Sequence, residues 1–403
     1  MDAMLPSRLG KLRIICSLPL FSDAICLKKQ SAAEHGFTQI LLCIALAPQL
    51  GLSKEAECEL IELAVFAELP KALLGDPSFY LRQRHPEASA MYKDVRGRLY
   101  KETEDSFKTR TSRSPELYGL HRLVDAFAAM LFIEKECLLG NSYFQAERYR
   151  THYHQMRRKV IAGESLSAVH PVLKAEMVEG KDAAQNRNVT TEINWRNAID
   201  FLDGLFDDAT RARLEGGIGE YSATFVGMME KLKEHYRYKG WSYLFPESVG
   251  EHTYQVVFLA RILAAALGLR PHERIELYRL AAMHDLAEAY ASDVVYPVKV
   301  REKDLGKMHA ELEEKVIEDI CTRLGFTLSG DSFLGTIVEI CDRFSAQLYF
   351  DRERRGGNTH FDVPNTSMDR TRDKYKAKHP EIFLVLDELW DEFQGCFAST
   401  GKR

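Results

Sequence analysis

The chain contains itself twice, and that repetition constrains its fold more than any other feature. Displacing the sequence by 217 residues lays Glu34-His35 on Glu251-His252. The same step lays Leu42, Leu46, Ala47, Leu50, Gly51 and Leu52 on Leu259, Leu263, Ala264, Leu267, Gly268 and Leu269. It then pairs Glu59, Leu60, Leu63 and Ala64 with Glu276, Leu277, Leu280 and Ala281. Farther on, Asp125, Phe127, Ala129, Leu131, Glu136, Gly140 and Asn141 meet Asp342, Phe344, Ala346, Leu348, Glu353, Gly357 and Asn358. Leucine spacing alone imitates one amphipathic helix, but chance does not hold register across separated blocks, so the chain reads as a duplication.

Both copies carry apolar stripes at the helical period with little β-type alternation, and Gly51 and Gly268 stand where a helix should stop. The expected fold is all-α, with two tandem helical domains. Boundaries follow from the repeat: residues 1–165 for the first copy, 166–215 for a connector with short helices, and 216–403 for the second copy. The polar run from Glu179 to Asn188 marks the connector as solvated.

Composition restricts the class of partner. Charged residues make up 28% of the 403 and hydrophobic ones 45%, ordinary values for a chain that folds. The formal net charge of -5 provides no overall basic field, which argues against a nucleic-acid polymer. The basic run from Arg148 to Lys159, with Tyr149 and Tyr153 interleaved, is more simply a solvated helix face. Eight cysteines without a CxxC pair lie mostly in apolar runs, as in a reduced, cytoplasmic protein, and no apolar run is long enough to span a membrane.

The residues that carry chemistry sit in the second copy. His252 opens an apolar helical run, and His284-Asp285 interrupts another, from Leu277 to Ala291. Adjacent residues on a helix point about 100 degrees apart, so such a pair closes on one ion only from a shared helix edge. Asp342 lies on a further helix beside Phe344, Leu348 and Phe350, read as buried, and a buried carboxylate needs a partner such as a cation. Two imidazoles and two carboxylates suit Mn, Fe, Co, Ni or Zn better than a purely hard Mg site. A divalent ion lowers the pKa of coordinated water and offsets phosphoryl charge, the two demands of phosphoester hydrolysis. Glu288, one turn beyond His284, is placed to handle a proton, and Asp293 follows near the end of that helix. His309 is the candidate for a second metal, but no longer histidine series accompanies it, so a mononuclear site is expected.

This H...HD...D pattern resembles the HD-domain phosphohydrolase superfamily. More narrowly, His284-Asp285-Leu286-Ala287-Glu288, followed by Ser292-Asp293 and Pro297-Val298-Lys299, is similar to the bacterial YfbR-type 5'-deoxynucleotidases over about residues 238–358. The resemblance implies a divalent metal on His252, His284, Asp285 and Asp342, with Glu288 and Asp293 acting in catalysis. It also implies an Arg-Trp pair before the first histidine that senses the deoxyribose. Trp241 fits the tryptophan, but Gly240 precedes it and Lys239 lies beyond, which leaves sugar selectivity open. Lys299 is a candidate phosphate contact.

In the first copy the same positions hold Ala67-Glu68 for the HD pair, Lys71 for Glu288 and Ala24 for Trp241, while His35, Asp125 and Asp76 keep their type. That copy therefore reads as catalytically degenerate. The expectation is a metal-dependent phosphohydrolase of small nucleotides, a 5'-nucleotidase or 5'-deoxynucleotidase acting on monophosphates. Hydrolysis of a triphosphate or cyclic nucleotide is the alternative within enzymes, and a nucleotide-sensing scaffold the alternative outside them. The resemblance further implies a homo-oligomer, or an intramolecular pseudo-dimer of the two copies.

Overall fold

The computed structural model describes residues 7–21, 26–76, 85–107, 114–141, 146–161, 193–238, 240–291, 303–361 and 366–398. Among these residues the regular structure is helical, with two isolated antiparallel bridges and no strand. The chain divides into two compact units, Met1–Asp200 with Leu386–Arg403, and Phe201–Val385.

The helices of the first unit are α1 (Arg8–Ile15), α2 (Ala32–Gln49), α3 (Lys54–Ala67), α4 (Lys71–Leu74), α5 (Pro86–Ser106), α6 (Pro115–Leu138) and α7 (Ala146–Ile161). Helix α8 (Trp195–Ala223) leads into the second unit, where α9 (Phe225–Leu232), α10 (Val249–Ala266), α11 (Pro271–Met283), α12 (Glu288–Ala291), α13 (Lys303–Leu324) and α14 (Ser332–Arg355) follow. After a 3-10 turn at Thr359–Phe361 come α15 (Thr366–Tyr375) and α16 (Pro380–Ala398). Helices α1 to α6 match α9 to α14 one for one, every start displaced by the same 217 residues.

The local causes recur with the helices. Ser31 and Glu34 form a reciprocal capping box at the start of α2, as do Ser248 and Glu251 at the start of α10. Both helices end in a Schellman motif: the Leu52 N–H reaches the Ala47 carbonyl and the Leu269 N–H that of Ala264, with Gly51 and Gly268 at positive φ between. Apart from their last residues, α2 and α10 are buried on every side, as the central helix of a bundle must be. Around them pack α3 and α6 in the first unit and α11 and α14 in the second.

A second shared device ties down the segment that precedes each central helix. Leu20 N–H donates to the Gln30 carbonyl and Ala32 N–H to that of Leu18, and 217 residues on Arg237 N–H donates to Glu247 and Val249 N–H to His235. Phe21 and Tyr238 follow at positive φ, a conformation rare for aromatic residues. Each ring stacks on the long helix behind it, Phe21 on Phe132 at 4.9 Å and Tyr238 on Tyr349 at 4.5 Å between centroids.

The proposed connector is described only from residue 193, and Ala198, Ile199 and Leu202 there form a buried stripe within α8, which breaks at Gly217. The polar run Glu179 to Asn188 lies outside the described residues. At the other end, the last part of α16 groups with the first unit, where Glu392 and Glu388 accept from the Arg8 guanidinium at 2.7 and 2.8 Å.

The basic helix α7 is partly packed. Tyr153 is buried against Phe127, and Arg150 pairs with Glu134. Cys16, Cys26, Cys43, Cys58, Cys137, Cys321 and Cys341 are free thiols. No helix among the described residues is long and apolar enough to cross a membrane.

Candidate metal centre

The HD pair does not lie on a continuous helix. Helix α11 ends at Met283, and the chain tightens through His284–Ala287 before α12 begins. Leu286 N–H donates to Met283, Glu288 N–H to Asp285 and Ala289 N–H to Leu286, a three-residue step in place of four. The tighter step takes His284 and Asp285 off the regular helical path, and their side chains meet with Nε2 and Oδ2 at 3.1 Å. It also lets the Ala281 carbonyl accept from Nδ1 of His284 at 2.7 Å. The first unit makes the same turn with Leu69, Lys71 and Ala72 as donors to Phe66, Glu68 and Leu69.

Three helical segments then bring four side chains together. Nε2 of His252, from α10, lies 3.1 Å from Oδ1 of Asp342, from α14, and 3.6 Å from Oδ2 of Asp285. Nε2 of His284 lies 3.1 Å from Asp285 Oδ2 and 3.4 Å from Nε2 of His252. Both imidazoles thus present Nε2 inward, because Nδ1 of each is engaged elsewhere: on Ala281 for His284, and on the Ser345 hydroxyl, 3.1 Å away, for His252.

That hydroxyl begins a chain of contacts that returns to the cluster. Ser345 Oγ donates to Gln255 Oε1 at 3.3 Å, and Gln255 Nε2 donates to Glu247 Oε1 at 2.7 Å. The Arg237 guanidinium spans the gap between Glu247 Oε2, at 3.8 Å, and Asp342 Oδ1, at 3.7 Å. Arg343 approaches the other oxygen of Asp342 at 3.4 Å from a more exposed position.

The electrostatics follow from this packing. Burial and the neighbouring Arg237 push the His252 imidazole down to about 4, so it is neutral. Burial works the same way on His284, but Asp285 and Asp342 outweigh it and raise that imidazole to about 9. Against their own burial, the charge on His284 lowers Asp285 to about 2, and His252 with Arg237 holds Asp342 well below the carboxylate range. The two carboxylates thus face the His284 imidazole and, at Asp342, the Arg237 and Arg343 guanidinium groups. A divalent cation held by the same atoms would take both imidazoles as neutral ligands. The donor set therefore fits a divalent metal, on His252, His284, Asp285 and Asp342, with the outer contacts that orient such ligands already made.

The other expected site residues divide. Glu288 opens α12 half-buried, one turn from the HD pair. Trp241 is exposed at 45% and packs on Phe350, itself half-buried, and on Phe361. Among the described residues before the first histidine, the side chain that reaches the cluster is Arg237. Lys239, Asp293 and Lys299 lie outside the described residues. His309 is buried on α13 and faces Glu313 at 3.0 Å.

Arg237, Glu247, Gln255 and Ser345 escaped a motif-led reading. A signal was available: at these four places the first copy has Leu20, Gln30, Thr38 and Ala128. Arg237 and Ser345 thus stand where the first copy is apolar, and Glu247 and Gln255 where it has a different polar residue.

No solved structure matches this chain. Residues 224–393 match the family described as 5'-deoxynucleotidase YfbR-like. A dATP triphosphohydrolase of Cyanophage S-2L is 25% identical over 156 residues, 39% of this chain and 85% of that relative. A 5'-deoxynucleotidase of Vibrio parahaemolyticus is 28% identical over 176 residues, 40% of this chain and 90% of the relative. The 5'-deoxynucleotidase YfbR of Salmonella newport is 26% identical over 156 residues, covering 35% and 77%.

Proposed function

We propose that the second unit is a metal-dependent phosphohydrolase of small nucleotides, releasing phosphate from nucleoside or deoxynucleoside 5'-monophosphates. The observation that carries this reading is that ligand atoms of His252, His284 and Asp342 lie within 4.8 Å of one another, with Asp285 Oδ2 at 3.6 and 3.1 Å from the two imidazoles. When bound, a divalent ion there lowers the pKa of water and offsets charge on the phosphoryl group.

The chain's own residues supply the rest. His252, held by Ser345, and His284, held by Ala281, keep their ring nitrogens pointed inward, so the ligand set costs little reorganisation. Arg237 places permanent positive charge beside Asp342, where a phosphate dianion would otherwise be repelled. The Glu288 carboxylate takes the proton of the attacking water at Oε and returns it to the departing 5'-oxygen. Asp293, Trp241, Lys239 and Lys299 are assigned to the nucleotide side of the site, Asp293 as the second catalytic carboxylate.

The first unit, in this reading, is a duplicated copy without turnover. It has alanine at the second imidazole, a lysine at the proton-handling carboxylate, and alanine in place of Ser345.

One experiment tests the assignment: phosphate release by the purified protein with Mn, Co or Mg from a panel of ribo- and deoxyribonucleoside mono-, di- and triphosphates. Orthophosphate from monophosphates supports it. The similarity to a dATP triphosphohydrolase favours a second reading, release of intact triphosphate, which product analysis separates from the first. Stoichiometric metal binding with no turnover on any member of the panel leaves the nucleotide-sensing reading instead.

A further inference from the structure

The pocket of the first unit is framed by helices equivalent to those of the metal centre but carries a different set of charges. His35 Nε2 lies 2.9 Å from Asp125 Oδ1, and one ligand atom each from His35, Glu68 and Asp125 falls within 4.8 Å of the others. Burial opposes charge on Asp125, yet His35, Arg122 and Lys71 hold it well below the carboxylate range. Glu68 is 1% exposed. Paired carboxylates in such a place require a cation.

The chain provides its own: Arg122 lies 3.4 Å from Asp125 Oδ2, Arg96 is charged nearby, and Lys71 faces Glu68. The Lys71 ammonium, itself buried, stands 2.6 Å from Glu68 Oε2 and 4.0 Å from Asp76 Oδ1. Burial disfavours its charge, but Glu68 and Asp76 more than offset this and raise its pKa. Gln39 completes the arrangement: its Nε2 donates to Asp125 Oδ1 at 3.0 Å and to Glu68 Oε1 at 3.4 Å, while Nε2 of His121 donates to its oxygen at 2.9 Å. At the positions of Gln39 and His121 the second copy has Val256 and Val338. The donors that meet these carboxylates are therefore found only in the copy that lacks the second imidazole.

We propose that the Lys71 ammonium is a tethered replacement for the divalent ion, and that His35, Glu68 and Asp125 form a latent divalent-cation site that this ammonium closes. The inference does not depend on what the second unit hydrolyses, since it is tested with that centre removed.

The background is the full chain carrying His284→Ala and Asp285→Ala, with Co²⁺ as the probe, read by equilibrium dialysis with elemental analysis and by Tm. With Lys71 in place, no stoichiometric cobalt is expected. Lys71→Met should lower Tm in the absence of metal, acquire one cobalt per chain, and recover Tm when cobalt is added. Asp125→Asn in addition should cancel that uptake, and Lys71→Arg, which keeps the charge, should bind none. An Asp125-dependent cobalt with Lys71 intact would overturn the proposal, because the pocket would then be a metal site as it stands. So would a Lys71→Met chain that keeps its Tm and takes up no cobalt. If Lys71→Met is recovered folded only in cobalt-containing buffer, that recovery counts for the proposal; if it is recovered in neither, the Lys71-intact arm decides.

Discussion

The Ser345 hydroxyl lies 3.1 Å from Nδ1 of His252, and this contact leaves the opposite nitrogen of the ring facing Asp342 and Asp285. Ser345 is therefore an orienting residue. Through Gln255 and Glu247 the orientation is coupled to Arg237 and back to Asp342. Ser345→Ala and Gln255→Leu should each weaken divalent-metal affinity about 10- to 100-fold, the range for such outer contacts. Competition with a chromophoric chelator measures this without reference to turnover. Unchanged affinity in both variants would reduce the chain of contacts to ordinary packing.

Asp285 and Glu68 hold equivalent positions in the two copies and should respond in opposite ways. Asp285→Ala should remove the bound metal and lower phosphate release by about a thousandfold or more. Glu68→Ala should leave both intact but lower Tm, because it strands Lys71 in a buried position. If both substitutions cost activity equally, the wrong copy has been named as the working one.

Glu353 and Glu136 provide a structural prediction independent of function. Glu353 accepts from the Leu244 and Phe245 N–H groups, at 2.9 and 2.7 Å, and from Asn358 Nδ2 at 2.6 Å. Glu136 does the same for Leu27, Lys28 and Asn141, at 2.7, 3.0 and 2.7 Å. Replacing either by alanine strips three donors of their acceptor and should cost on the order of 3 kcal/mol. Urea unfolding of the two variants should show similar losses. A neutral result for either would mean that the clamp is not what pins the segment before its central helix.

His121 makes stability pH-dependent. Burial, reinforced by Arg122, Arg96 and His35 and opposed by Asp125, pushes its imidazole down to about 4 from the usual 6.5. Between those values the unfolded chain binds a proton that the folded chain refuses, so stability is full above pH 6.5 and falls as pH drops toward 4. The slope from this one group approaches about 1.4 kcal/mol per pH unit. Unfolding free energies of the wild type and His121→Asn should diverge least near pH 4 and most above pH 6.5. Parallel curves across that window would show that His121 is not the group responsible.

Much of this was legible in the chain. Paired blocks such as Glu34-His35 with Glu251-His252 stood out in the sequence, and the two glutamates close a capping box at the start of each central helix while the histidines sit one residue on, facing an acidic cluster. What misled was continuity. The apolar run from Leu277 to Ala291, with His284-Asp285 set into it, reads as one helix, whereas the backbone tightens at His284 and reopens as α12. Side-chain periodicity reports which face is buried and is nearly blind to a change from a four- to a three-residue hydrogen-bond step. Trp241 drew attention as a large aromatic ahead of the first histidine, yet Arg237 is nearer the cluster, because its N–H is paired with Glu247 and Tyr238 turns at positive φ just after it.

The sequence by itself determined the helical class, the step of the repeat and the chemical kinds of the ligands, because these depend on local periodicity and on residue type. Only the tertiary structure decided which nitrogen of each histidine faces inward, which arginine serves the acidic pair, and that an ammonium occupies the other pocket. Contacts such as Ser345 with His252 and Arg237 with Asp342 join residues scores of positions apart, and they come into being only when the helices of a unit pack around its buried central helix and bring those polar atoms within reach of one another.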